Sequence, residues 1–185
     1  MLGHEIKQTD YKLLLKLYTN DRQQLLDVGT FLPNFHLFDQ KFNKLTLRNY
    51  EYIPMLINVI LGIETSDCIK VILASEKLAK RYPCIKFLVI TKDLPFSLAK
   101  FHEEHKIKHV TLASAFSDPM FAKNYQVLVG HGHLKGLFYR TTILTDYMHK
   151  VLWRDSMRNG NAVEKLNKLS TIFKEICPCP IRFNS

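Results

Sequence analysis

Long apolar runs are missing from this chain, and no stretch approaches the ~20 residues that a helix needs to cross a bilayer. The first residues, Met-Leu-Gly-His-Glu-Ile-Lys-Gln, lack the basic start and apolar block of a secretory signal. The expectation is a cytoplasmic protein that does not engage a membrane. Clustered charge of one sign is also missing. The formal net charge is +9, yet the basic residues are scattered, with no run of five Lys/Arg and no zinc-finger or RNP-like spacing. That pattern describes a solvated basic surface and no nucleic-acid partner. Cysteine is scarce, with four in 185 residues: Cys68, Cys84, Cys177 and Cys179. In a cytoplasmic chain these do not read as a disulfide framework. Cys177-Pro178-Cys179 is tighter than the C-x₂₋₄-C of a zinc site, and no separated second pair exists, so neither a metal nor another cofactor is expected.

What is present is the composition of a globular domain, 46% hydrophobic and 23% charged, in a length that suits one core. The organising stretch is Met55 to Arg81. Met55 to Ile63 is nearly continuously apolar and rich in β-branched residues, as expected of a strand buried on both faces. Thr65, Ser66 and Asp67 are capping types, and Ile69, Ile72, Leu73 and Ala79 follow at helical spacing. A strand, a turn and a helix are expected, with Cys68 in the helix's first turn. A thiol there meets the positive end of the helix dipole, which favours the thiolate. The plainer alternative is a small buried hydrophobe.

The rest of the chain alternates between the two periodicities. Tyr11 to Tyr18 fits either a helix face or half of a hairpin. Asn34–Phe38 and Lys44–Leu47 flank an Asp39–Asn43 turn as a β-hairpin. Ile85–Thr91 reads as a second buried strand, and Asp93-Leu94-Pro95-Phe96 opens a helix to about Lys106. A short strand is expected at His109–Ala113 and a short helix from Asp118 to Asn124. A loop follows at Leu128–Lys135, then strands at Tyr139–Leu144 and Lys150–Arg154. Asn161 with Glu164 resembles a capping box before a last helix striped by Ala162, Leu166, Leu169, Phe173 and Ile176. Alternating strands and helices make an α/β layered domain.

In that order the chain resembles the thiol peroxidase branch of the peroxiredoxins. Val28-Gly29…Pro33-Asn34-Phe35 resembles a V-G-x-x-A-P-x-F opening, with Leu32 where alanine is usual. Asp93-Leu94-Pro95-Phe96 matches D-L-P-F, and Val110-Thr111-Leu112-Ala113-Ser114 resembles the V-x-T-L-S region. Gly136-Leu137…Arg140 matches G-L-x-x-R, and Thr65-x-x-Cys68 matches the T-x-x-C core of the peroxidatic motif. The resemblance implies a thioredoxin-like fold: a central mixed β-sheet flanked by helices, with an N-terminal β-hairpin. It sets residues 28–176 as the domain, 1–27 as an N-terminal extension or hairpin and 177–185 as a C-terminal tail.

The same resemblance implies a thiol-dependent peroxidase acting on hydrogen peroxide or alkyl hydroperoxides. Cys68 would be the nucleophile, and the Thr65 hydroxyl would hydrogen-bond thiolate and peroxide. Arg140 would stabilise the thiolate and polarise the O–O bond. Read alone, Thr65 is a helix cap and Arg140 a surface arginine. Three departures bear on this. The family's proline four residues before the threonine is Leu61, Asp67 stands where a small or apolar residue is usual, and His102 stands where the atypical two-cysteine members carry the resolving cysteine. Cys84 follows Cys68 by 16 residues, which along a straight helix is more than ~20 Å and beyond disulfide reach. Cys177 or Cys179 could instead resolve an oxidised Cys68, in the same or a partner subunit. The expectation is one-cysteine behaviour with an external thiol reductant such as a thioredoxin-like protein, in a homodimer. The alternative is an impaired thioredoxin-like binding module or a redox sensor.

Overall fold

The computed structural model describes residues 26–156 and 162–177. The expectations for Tyr11–Tyr18, for Asn161 as a cap and for Cys179 as a resolving thiol lie outside them. Seven strands form one mixed sheet among the described residues: β1 (Leu37–Asp39), β2 (Lys44–Leu45), β3 (Met55–Val59), β4 (Lys86–Thr91), β5 (Thr111–Ser114), β6 (Thr141–Thr145) and β7 (Val151–Asp155), in the order β2-β1-β5-β4-β3-β6-β7. The central pairs β3–β4 and β4–β5 are parallel, and β6 runs antiparallel to β3 with Val59 opposite Thr141. The helices are α1 (Ser66–Arg81), α2 (Pro95–Glu104), α3 (Phe121–Asn124), α4 (Ala162–Lys168) and α5 (Ser170–Ile176). None of the described helices is long and apolar enough to cross a membrane.

Burial on both faces explains the unbroken apolar runs of β3 and β4. Leu56, Phe87 and Val89 face α1, α2, α4 and α5, packing with Cys68, Ile72, Leu98, Leu166 and Phe173. Met55, Ile57, Leu88 and Ile90 turn the other way, toward Phe35, Phe121, Tyr125 and Phe138. The expected hairpin is β1–β2. Its turn is tied by Asp39, whose Oδ1 accepts the Lys41 and Asn43 N–H groups at 2.8 and 2.9 Å. The Val28-Gly29 opening lies along β7: Gly29, at φ 93°, donates to Val151 O at 2.8 Å, and Val151 N–H donates to Thr30 O at 2.8 Å. Only a residue at home in the left-handed region makes that turn without strain.

The differences from expectation are local. The strand expected over Met55–Ile63 ends at Val59, and the chain turns through Leu61–Glu64 after one more bond, Ile60 N–H to Ile90 O at 2.9 Å. The last helix is interrupted at Leu169. The cysteines require a larger correction. Cys84 and Cys177 form a disulfide, their Cα atoms 6.0 Å apart across 93 residues of sequence, so the chain does carry a cross-link. Cys177, expected on the tail, caps α5 and is 3% exposed. The fold makes the pairing: α1 ends at Tyr82-Pro83, α5 ends over the same spot, and Phe173 packs on Tyr82 with ring centroids 5.3 Å apart.

Candidate active site

The turn after β3 delivers Thr65 to the N-cap of α1, with φ −83° and ψ 132°. Its Oγ1 accepts the Cys68 N–H at 3.4 Å, and its hydroxyl proton is directed to Gly62 O, also at 3.4 Å. Thr65 is therefore a helix cap, as its residue type indicates, and that role holds the Cys68 main chain. Cys68 follows in the first turn, fully buried, and is the cysteine outside the disulfide among the described residues. It belongs to the helix-side core together with Leu56, Ile60 and Ile72.

Arg140 precedes β6, whose first residue pairs with the end of β3, so its side chain starts beside the same turn. That side chain is 12% exposed, and its Nη1 lies 3.5 Å from Asp67 Oδ2. Lys70 Nζ stands 3.7 Å from the other carboxylate oxygen. The structure thus brings Thr65 to Cys68 through the backbone and Arg140 to the turn through Asp67. The Asp67 charge, in the same helix turn as Cys68, faces two cations, which offset part of its field. Sequence reasoning missed this pairing, because Asp67 and Arg140 are 73 residues apart.

A groove of about 340 Å³ opens on the other side of the turn, between Ile63, Glu64 and Ile69, the α2 residues Ser97 and Phe101, and His105 just after α2. It flanks the turn on the face of α2 that carries Ser97, Lys100, Phe101 and Glu104. Sequence reasoning also missed Asp93. Read as a helix start, it instead places a carboxylate oxygen 2.8 Å from the Ile63 N–H. The D-L-P-F motif marked the position but not the partner.

Residues 28–154 match the AhpC/TSA family. The chain belongs to that family. Among curated relatives, the thiol peroxidase of Vibrio cholerae is 29% identical over 119 residues, covering 64% of this chain and 73% of the relative. The Staphylococcus aureus thiol peroxidase is 26% identical over 153 residues, 83% of this chain and 91% of its own length. Among solved structures, the thiol peroxidase from Chromobacterium violaceum superimposes with a TM-score of 0.73 at 25% identity, covering 82% of this chain and 90% of that one. The thioredoxin-like fold of the peroxiredoxins is the fold of this chain, and the comparisons support thiol-dependent peroxide reduction.

Proposed function

We propose that this AhpC/TSA-family chain is a thiol-dependent peroxidase whose Cys68 sulfur attacks one oxygen of hydrogen peroxide or an alkyl hydroperoxide. The S–O bond forms as the O–O bond breaks. Cys68 is oxidised to the sulfenic acid, and the second oxygen takes a proton and leaves as water or an alcohol. The observation that carries this reading is one helix turn carrying Cys68 and its cap Thr65, with the guanidinium of Arg140 3.5 Å from Asp67 in the same turn. Arg140 is mostly desolvated, so its fixed donors act on the departing oxygen with little reorganisation.

Resolution is external in this reading. A first thiol condenses with the sulfenic acid, releasing water, and a second reduces the mixed disulfide. His102 cannot form a disulfide, and Cys177 is engaged by Cys84, which supports a one-cysteine cycle with a thioredoxin-like reductant. A homodimer is part of the proposal. The rings of Phe42 and Phe96 stand 4.8 Å apart, and Phe96 and Phe116 are 71% and 45% exposed, a patch suited to a second copy and checked by sedimentation. The domain is proposed as residues 28–176. The cytoplasm is kept as the location, although the Cys84–Cys177 disulfide weighs toward an oxidising compartment; thiol trapping in cells decides it.

The deciding experiment is peroxide consumption by the full chain with a thiol reductant. Cys68→Ser is expected to abolish it and Cys84→Ser to leave most of it. Equal rates in wild type and Cys68→Ser would sink the peroxidase reading. The second reading, a redox sensor whose cysteine oxidises slowly, is favoured by the complete burial of Cys68. It predicts a sulfenic acid detected by mass spectrometry without sustained turnover.

A further inference from the structure

Asp93 ties two strand ends to the turn before Cys68. Its Oδ2 accepts both the Ile63 N–H and the Thr91 hydroxyl, each at 2.8 Å, while its own N–H donates to Thr91 Oγ1 at 3.3 Å. The Ser114 hydroxyl at the end of β5 donates to the Asp93 carbonyl at 2.5 Å. β4 ends at Thr91 and β5 at Ser114, and both side chains are fully buried. On the other side of the Ile63 N–H, Gly62 O takes the Thr65 hydroxyl and Thr65 Oγ1 takes the Cys68 N–H. A continuous run of contacts therefore leads from the sheet, through one carboxylate, to the backbone of Cys68.

Leu61 makes this tie consequential. Proline at that position would restrict φ through its ring, whereas leucine leaves the turn free to choose. Ile63 is 5% exposed, and a buried N–H deprived of its acceptor must find another partner, which swings the turn. We propose that Asp93 is a positioning residue for Cys68. It pins the Leu61–Glu64 turn to β4 and β5, so that Thr65 and the first turn of α1 present the sulfur in attack geometry. The proposal rests on the reading of Cys68 as the peroxide-reacting thiol, and a displacement of about 1 Å at such a centre can cost on the order of 10²-fold in rate.

The test uses the full chain with Asp93→Ala and Asp93→Asn. Three quantities are read: the rate constant with hydrogen peroxide, the rate of Cys68 alkylation by iodoacetamide followed by peptide mass spectrometry, and the thermal midpoint. Asp93→Ala is expected to slow reaction with peroxide by on the order of 10- to 100-fold. It should also speed alkylation, because a fully buried sulfur gains access when the turn loosens. Asp93→Asn keeps an oxygen for the Ile63 N–H and should restore both rates to near wild type. Loss of stability alone would not be rescued on the two rates in opposite directions. Asp93→Ala behaving as wild type in both assays, or Asp93→Asn being as impaired as Asp93→Ala, overturns the proposal. A wild type that consumes no peroxide sinks the peroxidase reading instead, and the alkylation ratio then decides Asp93 by itself. Should Asp93→Ala not fold, Ser114→Ala frees the Asp93 carbonyl; the same opposed shifts, smaller in size, are expected, and unchanged rates overturn the proposal.

Discussion

Arg140 and Asp67 form the most informative pair at the level of single residues. A guanidinium aimed at developing charge contributes on the order of 10²-fold to rate, so Arg140→Met is expected to slow peroxide consumption by about that factor with the fold intact. Asp67→Asn separates two roles for the carboxylate. A full negative charge one residue from the sulfur opposes charge there by on the order of 1 kcal/mol at high effective dielectric. If opposition dominates, the variant reacts up to about tenfold faster. That rise is the expected outcome, because the Arg140 contact is long, at 3.5 Å, and Asp67 is also shared with Lys70. A fall as deep as that of Arg140→Met would show instead that the carboxylate holds the guanidinium in place. The stopped-flow rate constant with hydrogen peroxide checks both variants. The Thr65 cap at the Cys68 N–H was legible because capping is a local rule written within four residues. The Asp67–Arg140 and Asp93–Ile63 contacts join separate elements, and no spacing in the sequence announces them.

Between elements, the most instructive contact joins α1 to the start of β5. Glu76 sits in mid-helix, and its carboxylate accepts the N–H groups of Lys108, His109 and Val110 at 3.0, 3.0 and 2.9 Å. The His109 ring Nδ1 lies 2.6 Å away. Burial pushes the Glu76 carboxyl up, but the His109 ring and the Val110, His109 and Lys108 N–H groups together outweigh it and hold the group below its ordinary value of 4.5. A carboxyl depressed by folding contributes stability that is present above the ordinary value and disappears as pH falls through the lower, folded one. The thermal midpoint of the wild type is therefore expected to drop on acidification below about pH 4.5, and Glu76→Gln should flatten that drop. Glu76→Ala leaves three N–H groups to water and should cost about 1–2 kcal/mol at neutral pH. An unchanged acid limb in Glu76→Gln would assign the acid sensitivity to other groups. Glu76 stands four residues before Lys80, a spacing that by itself reads as a surface i,i+4 pair and gives no sign of the contact with Lys108–Val110. The strands and helices themselves were readable because buried parallel strands and amphipathic helices differ in period. Their ends were not, since hydrogen bonds such as Ile60 N–H to Ile90 O set them.

The cross-link between Cys84 and Cys177 acts on the molecule as a whole. It joins the end of α1 to the end of α5 and closes a loop of 93 residues that contains most of the sheet. Sequence reasoning rejected a disulfide on the usual poverty of cross-links in cytoplasmic chains, which is a rule about compartments rather than about this chain. Closing a long loop restricts the unfolded ensemble, and native disulfides of this kind typically contribute about 2–4 kcal/mol. In a chain of this size 1 kcal/mol moves the thermal midpoint by roughly 2–4 °C. Cys84→Ser, or wild type in dithiothreitol, should therefore melt about 5–15 °C lower than the oxidised protein. The aromatic contacts of Phe173 with Tyr82 and Phe87, at 5.3 and 5.8 Å, keep α5 docked at room temperature. Peroxide consumption at 25 °C should accordingly survive the loss of the cross-link, since Cys68 lies at the opposite end of α1. Calorimetry with and without reductant, set beside the peroxide assay, separates the two. Equal midpoints would show that the bond adds nothing to the folded state, and loss of activity at 25 °C without loss of fold would make Cys84 and Cys177 part of the redox cycle.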